Sequence, residues 1–299
     1  MKKGILYAVG AYLIWGLFPL YWKQLETIPA LQLIGHRIAW SFILLIIFIF
    51  VTRQWKDFRA TFNSKTIRIY LIAALLISVN WFTYVWAVNS GFVVETSLGY
   101  YINPLFSVLL GVVIFHERLR PVQWIPIALA AVGVLYLTVT YGSLPWIALT
   151  LAFTFGLYGL VKKTAPLSSL YGLTLETGLL FVVAIGYLVY CEFTGQGAFL
   201  HSYAKSNLMM VGAGLVTTVP LLLFASAARR IPLTTIGVLQ YINPTMQFLL
   251  GVLLYKEPFT HDRLIGFSMV WAGLILFWAE GLYARRNISP EPMPEIGEG

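Results

Sequence analysis

The chain has 299 residues, 59% of them hydrophobic and only 11% charged, where a soluble domain carries about 25% charged residues. No water-soluble interior hides that much apolar surface, so the composition excludes a soluble domain and leaves an integral membrane protein. A formal net charge of +8 would suit nucleic acid in a soluble chain. Here its distribution reports membrane orientation instead, and no nucleic-acid partner is expected.

A helix needs about 20 residues to cross roughly 30 Å of hydrocarbon. Apolar stretches of that length predict ten spans, at 4–23, 32–52, 68–88, 94–115, 121–140, 144–162, 169–191, 208–228, 233–255 and 263–283. The first stretch follows Lys2 and Lys3 but outruns a signal-peptide core and lacks a small-x-small cleavage site, so it reads as a retained span. No alternating half-length segments suggest a strand barrel. The fold class is therefore all-α, and the Pro/Glu-rich tail 285–299 reads as a disordered cytoplasmic segment.

Fifteen of the 20 Lys and Arg residues fall on the side of the N-terminus in this ten-span threading. Only Lys23, Lys205, Lys256 and Arg263 fall on the other side, and Arg37 lies inside a span. The positive-inside rule then puts both termini in the cytoplasm of a bacterial-type inner membrane. Nine or eleven spans would scramble the asymmetry.

The stretches "YINPLFSVLLGVVIFHE" (101–117) and "YINPTMQFLLGVLLYKE" (241–257) agree at nine of seventeen positions, 140 residues apart. Gly16 with Gly156, Lys23 with Lys163, Ala87 with Ala227 and Gly133 with Gly273 repeat at the same offset. The chain reads as two five-span units, 1–140 and 141–284. An odd number of spans per unit turns the second upside down, an inverted repeat common among transporters.

Pro104 and Pro244 fall near the middle of spans four and nine, where each removes a helical hydrogen bond. Freed carbonyls in lipid need protein, water or a ligand to meet them. Asn103 and Asn243 add donors and acceptors at that depth. The pattern predicts two kinked helices facing a polar cavity at the midplane, against the plainer reading that the prolines only bend helices for packing. Gly111 and Gly251 read as close-packing positions.

A charge inside a span costs about 2.5–3.5 kcal/mol even on insertion scales, so each asks for a reason. Arg37 is the candidate for holding a carboxylate on a solute, with snorkelling as its alternative. Glu176 occupies the repeat position of His36 and, neutralised by a proton, could carry it through a coupled cycle; His36 is the second, weaker proton candidate. Trp15, Trp81, Tyr84, Tyr101 and Tyr241 are the aromatics expected to stack on a solute. Glu117 and Glu257 are expected to favour the positive end of the helix that follows each.

No HExxH, GxxxxGK[ST] or GxSxG occurs, and the four histidines lack metal-ligand spacing. An enzyme, a metal or a cofactor therefore has no residues to lean on. The lone Cys191 forms no internal disulfide. A non-transporting receptor or subunit explains the duplication less well than a carrier does.

The stretches "NPLFSVLLGVVIFHERL" and "NPTMQFLLGVLLYKEPF", with Gly133 and Gly273 in the helix after each, resemble the EamA type of the drug/metabolite transporter superfamily. "AYLIWGLFPLYWK", "GHRIAWS" and "GYYINPLFSVLLG" are most similar to its RarD branch of predicted permeases. The resemblance covers about residues 4–283. It implies a ten-helix fold with a central cavity, export of small metabolites, drugs or amino acids, and Pro104, Glu117, Pro244 and Glu257 as shared motif residues. His116 and Lys256 stand where many relatives have Gly. A proton-coupled exporter, an amino-acid exporter and an uncoupled carrier all remain open.

Overall fold

In the computed structural model, which describes residues 2–90, 93–141, 146–255 and 261–286, helices follow the predicted spans with a few breaks. Span one becomes α1 (Lys2–Gly16), α2 (Phe18–Trp22) and a 3-10 turn at Lys23–Leu25. The break at Leu17 is local chemistry: Pro19 has no amide to give the carbonyl of Trp15. That carbonyl instead accepts from Gln247 Nε2 at 3.4 Å. Then come α3 (Ala30–Val51), a short loop helix α4 (Trp55–Ala60), α5 (Ser64–Asn89) and α6 (Val93–Phe115). They are followed by α7 (Trp124–Tyr141), α8 (Trp146–Thr164), α9 (Ser169–Phe193) and α10 (Ala204–Ala228). Span nine is cut at Tyr241 into α11 (Leu233–Gln240) and α12 (Ile242–Leu249), then a π turn at Leu250–Leu254; α13 covers His261–Arg286.

Seven of these stretches are long and apolar enough to cross a membrane, and the helices at 121–136 and 264–277 are apolar but shorter. The helix over predicted span six, α8, ends on Lys162, Lys163 and Thr164, which lowers its polarity contrast. Glu257, Lys256 and most of the tail lie outside the described residues, as does the side chain of Glu95.

The helices group into two packed units. One comprises residues 1–117 and 143–259, the other 118–142 and 260–299. In the larger unit α6 packs on α8 and α11, α1 on α10 and α12, and α3 on α9 and α10. Its core gathers Tyr12, Tyr158, Leu221, Phe224, Leu233 and Ile236. In the smaller unit α7 lies along α13, so closely that a Cβ at Gly273 would sit 2.7 Å from the Pro126 carbonyl oxygen. Arg120 Nη2 and Glu280 Oε2 pair there at 2.8 Å.

Contacts inside the larger unit recur at the 140-residue offset. Gly16 on α1 leaves room for Met246 on α12, as Gly156 on α8 does for Phe106 on α6. Lys23 Nζ stands 4.1 Å over the Tyr255 ring, and Lys163 Nζ stands 5.1 Å over the Phe115 ring. Residues that match in letters at this offset thus match in side-chain packing as well.

Candidate solute-binding site

The two Asn-Pro segments meet inside the larger unit, and the meeting is tight. Tyr241 Oη donates to the Tyr101 carbonyl at 3.3 Å, and a Cβ at Gly237 would lie 2.5 Å from the Pro104 carbonyl oxygen. Tyr101, Asn103, Tyr241 and Asn243 are all buried. Asn243 Oδ1 accepts from Gln247 Nε2 at 2.9 Å, whereas Asn103 Oδ1 and Gln240 Oε1 have no partner among the described residues. Leaving such groups dry costs about 1–3 kcal/mol each. Pro244 sits in the first turn of the interrupted helix, while α6 runs unbroken through Pro104. Of the two copies, only the second shows a helix break, at Tyr241, and a π turn at Leu250–Leu254 follows it.

Trp15 is half-buried and packs against the core, its ring 5.7 Å from Tyr12, 5.8 Å from Phe155 and 5.7 Å from Phe224. Tyr84 pairs with Tyr100, ring centroids 5.9 Å apart.

Arg37, on α3, is drawn into an aromatic box. Its guanidinium carbon stands 4.6 Å from the Trp81 ring centroid, 4.9 Å from Trp22 and 5.9 Å from Phe18. Tyr84 and Tyr100 lie within electrostatic reach. Nε donates to Thr217 Oγ1 on α10 at 3.0 Å, which fixes the plane of the fork. Among the described residues no carboxylate pairs with it, and its two Nη nitrogens bond nothing and are not sealed from the surface. A guanidinium offers five N–H donors, so most of this one's hydrogen-bonding capacity is unused by the described residues. His36, next along, points elsewhere: its ring packs 5.1 Å from Phe199.

Glu176 on α9 is in a different position from His36 chemically. Oε1 accepts from Lys162 Nζ at 2.6 Å and Oε2 accepts from Tyr158 Oη at 3.1 Å. Lys162 is 3% exposed and Glu176 1%. Lys162, read from the sequence as one of the loop cations that set topology, is thus an interior residue, held there because Glu176 neutralises it. Tyr158 and Lys162 are four apart on α8, so both reach the same side. A Lys-Lys pair ending one span, followed by a Glu inside the next, was the available signal. Shifted by 140 residues, Tyr158, Lys162 and Glu176 become Phe18, Trp22 and His36. Where the second repeat holds a closed ion pair, the first sets aromatic rings that carry Arg37.

Glu117 also departs from the sequence reading. It does not serve α7, the next helix, whose entry is capped locally by Gln123 Oε1 accepting from the Arg120 amide at 3.0 Å. His116 takes φ +51° and the Glu117 amide folds back onto the Gly111 carbonyl at 3.1 Å. The carboxylate therefore reaches α11, accepting from the amides of Leu233 at 2.7 Å and Thr234 at 2.9 Å. Lys163 Nζ stands 3.5 Å from Oε1 and donates to the Ile231 carbonyl at 2.8 Å. A carboxylate at a helix start meets free amides and the positive end of the dipole. Gly111 is required here, since a Cβ would lie 2.9 Å from the Thr234 amide nitrogen.

Several bilayer-length apolar helices enclosing polar helix breaks, a caged cation and an interior ion pair define a multi-pass membrane protein. Its particular kind is settled by comparison. The chain belongs to the EamA-like transporter family, whose model matches it twice, over residues 2–139 and 144–279. It is 47% identical to the uncharacterized transporter YojE of Bacillus subtilis (strain 168), over 92% of this chain and 93% of that one. Protein RarD of Escherichia coli (strain K12) is 39% identical, over 96% and 98% of the two chains. Protein RarD of Streptomyces exfoliatus is 43% identical, over 96% and 91%. One crystal structure superimposes with TM-score 0.68 at 19% identity, over 95% of this chain and 99% of the other, a likeness of fold. The chain is a membrane transporter of the EamA type and RarD branch, and not an enzyme.

Proposed function

We propose that this transporter is a secondary carrier of a small organic solute bearing an anionic group, which it moves by alternating access. In this reading ten helices form two inverted five-helix repeats, 1–140 and 141–284, with both termini in the cytoplasm of the inner membrane. The single observation that carries the substrate half is Arg37, a guanidinium within a span that has no acid partner among the described residues and keeps both Nη groups free. At the 140-residue offset Arg37 corresponds to the uncharged Thr177, and the neighbouring interior charges there, Glu176 and Lys162, balance each other. A cation held in hydrocarbon without its counter-ion is costly, and a carboxylate or similar group on the solute supplies that charge bidentately. Trp81 and Tyr84 would stack on the solute's flat parts, and Asn103 and Asn243 would meet it at the junction of α6 and α12 as the halves part. The matched packing at Lys23 and Lys163 supports the two-repeat reading.

The same reading assigns proton coupling to Glu176, with His36 as a lesser candidate. A carboxylate set between an ammonium and a phenol can take up a proton only by loosening Lys162, which links α8 to α9. Protonation would thereby change a helix contact as well as a charge.

The topology has its own test. Cys191, the chain's one cysteine, is buried and can be replaced by serine, after which single cysteines go at exposed positions 118 and 205. A membrane-impermeant maleimide added to whole cells should label position 205 and spare 118. Equal labelling of both would refute the inverted threading.

A further inference from the structure

We infer that the solute is amphiphilic: Arg37 takes its acid group, and an apolar groove that shares Phe18 with the Arg37 box takes a hydrocarbon chain or an equivalent ring system. This rests on the anion reading of Arg37 and adds a second subsite to it. The groove has a volume of about 300 Å³ and is lined by Ile14, Leu17, Phe18, Leu20, Tyr21 and Val216, from the first span and α10. One wall is shared with the cation, and a second is its sequence neighbour. Phe18 lines the groove and also faces the Arg37 guanidinium at 5.9 Å. Val216 lines it, and the next residue, Thr217, holds Arg37 Nε at 3.0 Å.

Two polar side chains stand at the wall: Tyr21 Oη donates to the Met209 carbonyl, and the amide nitrogen of Gln24, a further lining residue, donates to the Leu20 carbonyl at 3.1 Å. The rest of the lining is apolar, while the guanidinium across Phe18 asks for an anion. Leu17 is 43% exposed, so on a membrane-spanning helix the groove opens sideways toward lipid. A ligand joining the two features needs a charged end and an apolar body. The fully polar or zwitterionic small metabolite is thereby disfavoured.

The test measures binding to the full chain in lipid nanodiscs, with empty discs subtracted. The probes are linear carboxylates from butanoate to decanoate and the matching primary amides. Affinity should rise about threefold to fourfold per methylene, with each carboxylate preferred over its amide by tenfold or more. Val216→Trp, which fills the groove, should weaken decanoate at least tenfold and leave butanoate unchanged. Leu17→Trp should act in the same direction, and retained butanoate binding certifies that either variant is folded. Chain-length-independent binding, or undiminished decanoate binding in both variants, overturns the groove subsite while the anion reading stands. No preference for carboxylate over amide at any length overturns both. A phospholipid that copurifies and is not displaced by decanoate would assign the groove to the bilayer, and so also overturns the inference.

Discussion

Lys162→Met alone should lower stability by about 3–5 kcal/mol, because it strands the Glu176 carboxylate in a dry interior. The pair is 2.6 Å apart with both side chains at most 3% exposed, so water cannot take over the lost contact. Removing both charges is a different matter. A matched apolar pair, Lys162→Met with Glu176→Leu, gives back the Coulomb attraction but also cancels the desolvation of two ions. Such replacements in other interiors are often neutral or stabilising. Thermal unfolding in nanodiscs should therefore show a large fall for the single variant and recovery in the double. If the single variant melts like the parent, the pair is not what holds α8 to α9. The double variant also isolates the proton role: it should keep its fold and lose the pH dependence of flux. An unchanged pH profile removes Glu176 from coupling.

Arg37→Ala should cost about tenfold to a hundredfold in affinity for an anionic solute, the range expected for charge-assisted hydrogen bonds. Folded yield should change little. The aromatic box around it is built from Phe18, Trp22 and Trp81, which keep their own packing on α2 and α5. Arg37→Lys keeps the charge but loses the planar fork that stacks between rings and meets a carboxylate with two bonds, so it should recover only part of the affinity. Thr217→Val should lie between parent and Ala, since it removes the bond that orients Nε and leaves the charge in place. Equal losses of yield and of affinity in Arg37→Ala would mark the residue as structural.

Much of the scaffold was legible because membrane helices announce themselves by length and apolarity, and because the duplication writes its contacts at a fixed offset. The pairs Gly16 with Gly156 and Lys23 with Lys163 turned out to make corresponding contacts. Arg37 was visible as a charge in a span, but its cage was not, since Trp22, Trp81 and Thr217 come from three other helices. Lys162 was misplaced because a Lys-Lys pair at a span's end reads as a cytoplasmic anchor until a carboxylate from α9 is brought to it. Glu117 was assigned to the wrong helix for a local reason: a left-handed turn at His116 sends the chain back on itself, and such turns at a non-glycine residue leave little trace in composition. Aromatic residues in spans serve packing and binding with the same letters, and the packing of Trp15 on Tyr12, Phe155 and Phe224 was not legible before the fold brought those rings together.

Solute counterflow in proteoliposomes tests the central claim most directly. Vesicles holding the purified chain are loaded with an unlabelled amphiphilic carboxylate, and entry of trace labelled carboxylate is followed. The account predicts transient accumulation above equilibrium for the carboxylate, none for the isosteric amide, and none for either with Arg37→Ala. Equal accumulation of amide and carboxylate, or carboxylate accumulation undiminished in Arg37→Ala, would contradict it.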